Sequence, residues 1–234
     1  MPNNLQFLFA LLLLIGSTFA QESLDSEENV KPGINDSWKS DKIGPLIDRL
    51  ETESREVYIH RAEIAAMVGP LPGMHVADVG AGSGFMAHAF ARLVGEEGRV
   101  YAVDINENLL MHVAKGAKEK NLDNLKTVTC DEKSVRLEPN SVDLVYICDT
   151  YHHFEFPRNT MASIYRALRP NGQLVIVDFH RIPGVSREWI LGHVRADQET
   201  VTKEVSDAGF ELTNIHQMSE LKENYVLRFR KPLR

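Results

Sequence analysis

The stretch Val76-Ala77-Asp78-Val79-Gly80-Ala81-Gly82-Ser83-Gly84-Phe85 constrains the fold of this chain more than any other. Val76, Ala77 and Val79 are small or β-branched residues suited to a strand covered on both faces. Glycines at alternate positions weaken regular structure, so Gly80, Gly82 and Gly84 mark a turn at the strand's end. They read as a loop whose backbone passes very close to something. The loop opens a helix near Phe85, and a helix N-terminus offers unpaired N–H groups to a ligand.

The rest of the chain extends this unit. Strands are expected at Met74–Val79, Arg99–Asp104, Leu125–Thr129, Ser141–Cys148, Gln173–Phe179, Phe210–Gln217 and Tyr225–Arg230. Helices are expected at about Phe85–Val94, Glu107–Lys120, Asn159–Leu168 and Asp197–Ala208. A longer helix before the first strand, Leu46–Val68, carries Ile47, Leu50, Val57, Ile64, Ala65 and Val68 near a period of 3.6. Alternating strands and helices imply an α/β fold with a parallel sheet doubly wound by right-handed crossovers. The last two strands have no helix between them, which implies a hairpin and one antiparallel strand. A chain of 234 residues suits one sizeable domain. The net charge of −7, with no dense basic run, argues against a nucleic-acid partner.

The N-terminus is different. Phe7 to Ile15 is an unbroken apolar run, and Thr18 and Ala20 are small residues at a signal-peptide cleavage spacing. Residues 1–20 are therefore expected to be a signal peptide, with export to the periplasm or secretion. A membrane anchor or a cytoplasmic protein is the alternative. After cleavage no stable membrane insertion is expected. Residues 21–45 are polar and acidic, are broken by Pro32-Gly33, and read as a flexible linker with Trp38 as a docking residue. The domain proper is then 46–234. Cys130 and Cys148 end strands that are not neighbours and are expected as free thiols.

Two ligand classes use a strand, a glycine loop and a helix followed by an acidic residue at the end of the next strand. These are the dinucleotides and S-adenosylmethionine (SAM). The dinucleotide fingerprint G-x-G-x-x-G needs a small third residue, and here that position is the bulky Phe85. Asp104 ends the second strand, where a carboxylate can accept hydrogen bonds from two ribose hydroxyls. Asp131 follows the third strand. The fourth ends in Asp149-Thr150-Tyr151-His152-His153-Phe154, and Leu168-Arg169-Pro170-Asn171-Gly172 precedes the fifth.

With these motifs in this order, from about Val57 to Arg230, the chain resembles the class I SAM-dependent methyltransferases of the small-molecule, quinone-biosynthesis type. The resemblance implies a Rossmann-like, three-layer α/β/α fold with a seven-stranded sheet in the order 3-2-1-4-5-7-6, strand seven antiparallel. It implies that Asp78, Gly80, Gly82 and Gly84 lie along the methionine part of SAM, and that Asp104 binds the ribose. Ile105 would pack on the adenine, Asp131 would take its amino group with Glu132 alongside, and Asp149 and Thr150 would face the sulfonium. Asp143 would hold a loop.

The expected activity is methyl transfer to a small-molecule acceptor. A non-catalytic SAM-binding module and a nicotinamide-dependent oxidoreductase are the competing readings. His152 and His153, past strand four, are the candidate bases. Tyr151 and Phe154 are candidates for contact with the sulfonium, and His180 is a weaker base candidate. Tyr58, Arg61, Trp189 and His193 lie in segments that would cover an acceptor pocket. No metal site is expected, and the oligomeric state is open.

Overall fold

A computed structural model of the protein describes residue 24 and residues 26–233. The signal-peptide segment 1–20 lies outside the described residues. Among these residues the helices are α1 (Gly44–Leu50), α2 (Glu56–Ile59), α3 (Arg61–Val68), α4 (Phe85–Val94), α5 (Glu107–Glu119), α6 (Pro157–Ala167), α7 (Glu188–His193) and α8 (Gln198–Asp207). The strands are β1 (His75–Val79), β2 (Arg99–Asp104), β3 (Leu125–Thr129), β4 (Val142–Cys148), β5 (Leu168–Phe179), β6 (Glu211–His216) and β7 (Asn224–Arg230). Short 3₁₀ turns occupy Asp36–Lys39 and Tyr151–His153.

The strands form one seven-stranded sheet in the order β3-β2-β1-β4-β5-β7-β6. The pairings among β1 to β5 are parallel, and β7 runs antiparallel to both β5 and β6. Side chains of successive strand residues point to opposite faces. Val76, Leu144 and Tyr146 join Phe90 and Val113 in one core, on the α3–α4–α5 side. Ala77, Val145 and Ile147 join Met161, Ile164 and Val201 in the other, on the α6–α8 side. Two buried faces explain why these strands read as continuous apolar runs.

The single helix expected over 46–68 is three short ones. The polar run Glu51-Thr52-Glu53-Ser54 offers no apolar face to bury, and the chain turns there. Glu56 begins α2 and accepts backbone N–H bonds from Lys222, Glu223 and Asn224, which ties α2 to the start of β7.

The expectation of a mobile linker over 21–45 is corrected for residues 29–43, which pack along the carboxyl ends of the strands. Asn35 is buried and donates to the His153 carbonyl (3.0 Å) and to Glu155 (3.1 Å). Asn29 also donates to Glu155, and Lys39 pairs with Glu132 at 2.7 Å. Asn106 caps α5 through its side-chain oxygen, and its Nδ2 donates to the carbonyls of Trp38 and Ser40. The segment is held by polar contacts and one aromatic ring, so its low apolar content concealed its docking.

Candidate active site

A cavity of about 690 Å³ opens at the carboxyl ends of the strands, where open α/β sheets bind ligands. Residues 29–43, α1 and α7 cover it. One side is built on the glycine loop. Gly80, Gly82 and Gly84 have φ values of 76°, 55° and 82°, a region L side chains rarely enter. A Cβ on Gly80 would stand 2.3 Å from Thr150 Cγ2, and one on Gly82 2.8 Å from Leu50 Cδ1. On Gly84 it would stand 2.7 Å from Val113 Cγ2. The glycines are thus required by other parts of the protein. Gly80 and Gly82 also line the cavity, whereas Gly84 faces α5 and does not.

Asp104 fastens the loop. Its two carboxylate oxygens accept from Gly82 N (2.8 Å) and Asn106 N (2.9 Å). Each oxygen keeps a second lone pair, and Asp104 lines the cavity beside Ile105. Burial raises its carboxyl pKa, and the backbone donors work against that rise. Asp78 lies behind the loop, outside the cavity, beside a small side pocket with Phe85 and Tyr146. Its Oδ2 has no hydrogen-bond partner among the described residues. Burial, helped by the nearby Asp104 charge, pushes Asp78 up to about 7.

Asp131 and Glu132 line the cavity with their carboxylates engaged by protein. Asp131 accepts from Lys133 N and Ser134 N and pairs with Arg136 at 2.9 Å. Burial would raise its pKa, but these donors outweigh it and hold the carboxyl below its ordinary value. Lys39 holds Glu132 low in the same way. Asp149, in the left-handed region at φ 47°, pairs with Arg55 at 2.6 Å and accepts from Asn224 at 2.6 Å. Burial raises its pKa against the pull of Arg55. Thr150 donates to the Cys148 carbonyl at 2.8 Å. Asp143 lies away from the cavity, between His75 N and Arg169.

The other side is aromatic and imidazole-rich. Asp178, near the end of β5, accepts from His152 N at 3.0 Å and contacts His152 Nδ1 at 2.7 Å. The parallel pairing of β4 with β5 sets these strand ends side by side. The His153 ring lies 4.4 Å from that of His152, and its Nε2 is 3.3 Å from His193 Nε2. Trp189 stacks on His193 at 4.9 Å, and Trp38 meets His153 edge-on at 5.8 Å. Burial is the main cause that lowers His153 to about 2 and His193 to about 4, with neighbouring cationic groups adding to it. Both rings are therefore neutral at neutral pH. A group at about 2 is a poor proton acceptor, so His152, oriented by Asp178, is the better base candidate.

Three expected pocket residues stand elsewhere. Tyr58 packs edge-on against Phe85 and under Arg61. Tyr151 is buried, and its hydroxyl donates to Glu204. His180 packs on Tyr225. All three side chains follow apolar or paired neighbours away from the cavity, while Trp189 and Phe154 do line it. Arg55, Asp178 and Asn224 escaped the sequence reading. Asp178 alone had a signal, as the carboxylate near the end of an otherwise apolar strand.

The sheet order and the glycine loop define a Rossmann-like methyltransferase fold. The structure is similar to that of a SAM-dependent methyltransferase from Aquifex aeolicus, with a TM-score of 0.70 at 24% identity over 79% of this chain and 96% of that one. A family model described as a methyltransferase domain matches residues 70–229, and the chain belongs to that family of SAM-dependent methyltransferases. Among curated proteins it is similar to the ubiquinone/menaquinone biosynthesis C-methyltransferase UbiE of Shewanella pealeana. That match is 26% identical over 65% of this chain and 72% of the relative. The enzyme of the same name from Pseudoalteromonas translucida is 27% identical over 69% of this chain and 77% of its own length.

Proposed function

We propose that the protein transfers the methyl group of SAM to a small aromatic acceptor of the quinone type. The observation that carries this reading is one cavity with two unlike walls. The wall of Gly80, Gly82, Asp104 and Ile105 fits the cofactor, since Asp104 keeps spare lone pairs for two ribose hydroxyls. The opposite wall of Trp38, Phe154, Phe179 and Trp189 offers apolar ring faces for a flat acceptor. The similarity to quinone-biosynthesis C-methyltransferases supports the same acceptor class.

In the reaction an acceptor atom forms a bond to the methyl carbon. The sulfur–methyl bond breaks with its electron pair passing to sulfur, leaving S-adenosylhomocysteine. The acceptor's displaced proton leaves on the histidine side. Positioning the two reactants in line contributes about 7–11 kcal/mol. Asp149 and Thr150, at the junction of the walls, orient the reacting ends.

Calorimetry with S-adenosylhomocysteine and methylation of a hydroquinone panel test the proposal. His152→Ala is expected to lower kcat by about 10²–10⁴-fold while S-adenosylhomocysteine still binds. Absence of S-adenosylhomocysteine binding by folded protein would refute the reading.

Export is a second part of the proposal and rests on residues 7–20. Fractionation of cells expressing the full chain tests it. Protein retaining Met1 in the soluble cytosol would contradict export.

A further inference from the structure

We propose that His152, His153 and His193 bind a divalent transition-metal cation of the zinc type, on the acceptor side of the cavity. Each residue offers one ring nitrogen, and the three nitrogens lie within 4.8 Å of one another. The His153–His193 Nε2 separation is 3.3 Å. In a tetrahedral site with Zn–N bonds of about 2.0–2.1 Å, two ligand nitrogens stand about 3.3–3.4 Å apart. The pair therefore already has the spacing of one edge of such a site. Without a cation, two imidazole nitrogens at that distance are compatible only if one of them carries a proton.

The surroundings of His152 match those of a histidine ligand. The contact between Asp178 and His152 Nδ1 places the ring proton there and leaves Nε2 as a lone pair, the usual carboxylate support of a metal-bound imidazole. Asp178 is itself fixed by the backbone N–H groups of His152 and Phe179. Trp189 stacks on His193, and Lys31 Nζ donates to the carbonyls of Gly192 and His193 at 3.1 and 2.7 Å. The arm at residues 29–43 thus helps to hold the third ligand. Neutral nitrogen donors select zinc and its late first-row neighbours over magnesium or calcium, which take oxygen.

All three histidines line the cavity, which leaves a fourth position facing it. Lys31 and Arg49 add positive charge nearby, so that position favours an anionic oxygen over a neutral ligand. An acceptor hydroxyl bound there would ionise near neutral pH, as zinc-bound water does. Its proton passes to solvent, and the resulting oxyanion activates the acceptor for the methyl group. With the cation present, the Nε2 lone pair of His152 is occupied, so the proton is lost by ionisation on the metal and not by transfer to imidazole.

The test uses the full chain purified without a polyhistidine tag and stripped with a chelator. Calorimetric titration with Zn²⁺ is expected to show one ion per chain at micromolar affinity or tighter. Thermal melting of the wild type should rise with free Zn²⁺ by mass action. His193→Ala is expected to weaken binding by at least about 100-fold, and Asp178→Asn by about 10–100-fold. Co²⁺ should give the visible absorption of a tetrahedral site in the wild type and lose it in His193→Ala.

The proposal is overturned if the wild type binds no Zn²⁺ at one per chain and its melting does not respond. It is also overturned if His193→Ala, melting like stripped wild type, binds as tightly as wild type. In that case the 3.3 Å pair merely shares a proton. S-adenosylhomocysteine binding in the same preparation separates this result from the methyl-transfer reading, because either can fail while the other stands.

Discussion

On one side of the cavity stand Asp104 and Asp149, with Asp78 behind the glycine loop, and on the other His152, His153 and His193. Burial disfavours charge on both sides, with opposite consequences. It pushes Asp78 up to about 7 and raises Asp104 and Asp149, while it drives His153 to about 2 and His193 to about 4. The acidic side holds carboxylates whose ionised form gains from a nearby cation. The proposed methyl donor, with its sulfonium, supplies that positive charge. The histidine side holds neutral donors with lone pairs, which suits an acceptor that must lose a proton. The contrast is one of architecture as well. The acidic side grows mainly from β1, its glycine loop and the end of β2. The histidine side is assembled from the arm, the Tyr151–His153 turn, β5 and α7.

The acidic side should therefore be the more brittle to single substitutions. The largest effect is expected for Gly80→Ala. A left-handed backbone costs an L residue about 1–2 kcal/mol, and crowding a packed site costs about 1–3 kcal/mol more. The Cβ would stand 2.3 Å from Thr150. Urea unfolding should show a loss of about 2–4 kcal/mol, and Thr150→Ala in the same chain should return only part of the crowding share, because the Cβ at position 150 would itself stand 2.8 Å from the new one. A wild-type midpoint for Gly80→Ala would mean that Thr150 does not fix the loop.

Asp104→Ala comes next. It leaves the buried Gly82 and Asn106 N–H groups without their acceptor, at about 1–3 kcal/mol of stability. It should also weaken S-adenosylhomocysteine binding more than tenfold, as a calorimetric titration would show. Trp189→Ala, on the histidine side, should change that affinity by less than about twofold. If both variants lose affinity equally, the two walls do not divide the ligands between them.

The arm gives a smaller effect. Asn35→Ala strands the His153 carbonyl and removes one of two amide donors to Glu155, leaving Asn29, at about 1–2 kcal/mol, read as a lower denaturation midpoint. The same substitution should expose residues 29–43 to protease before the sheet unfolds. Simultaneous cleavage and unfolding would show that the arm is part of the cooperative unit.

What was legible follows the same division. The strands were legible because buried parallel strands are apolar runs and the β–β ending betrays the antiparallel strand, while their order followed from the family resemblance of the motifs. The glycine loop was legible because it is contiguous. A second demand on it was not legible, since Gly84 also answers to Val113 and Gly82 to Leu50, contacts that exist only after α5 and α1 have packed. The helix expected over 46–68 hid its break because Leu50 and Val57, on either side of the polar run, happen to keep the same helical phase. Of the arm only Trp38 was legible as a docking residue, because the remaining anchors, Asn35 and Lys39 with Asn106 on the domain, are polar and leave no periodicity. The histidine cluster was illegible because His193 meets His153 only through the packing of α7, and Asp178 meets His152 only through the register of β4 on β5. Tyr58, Tyr151 and His180 were drawn toward the pocket by nearness in sequence, but their partners Phe85, Glu204 and Tyr225 hold them elsewhere.

The smallest effect is also the one that compares the two sides most directly. Asp78 has an ordinary value of 3.8 and is raised to about 7 in the fold. Between those values the folded state holds a proton that the unfolded state releases, so this group's stabilisation is present in acid and is lost as pH rises toward 7. His153 runs the other way, from 6.5 down to about 2. Below pH 6.5 the unfolded chain takes up a proton that the fold refuses, so its stabilisation is present above 6.5 and is lost as pH falls. His193, lowered to about 4, adds to that loss. From pH 6.5 to about 4 the two sides oppose each other, each group contributing at most about 1.4 kcal/mol per pH unit. Asp78→Asn removes the acid-favouring contribution, so its stability should fall more steeply than wild type on acidification from pH 6.5 to 5. His153→Gln should fall less steeply. Urea midpoints in the presence of a chelator, at constant m-value, measure both slopes. If Asp78→Asn and wild type share one slope, Asp78 is ionised in the fold. The unpaired Oδ2 behind the glycine loop would then need a positive or proton-donating partner that the surrounding side chains do not supply.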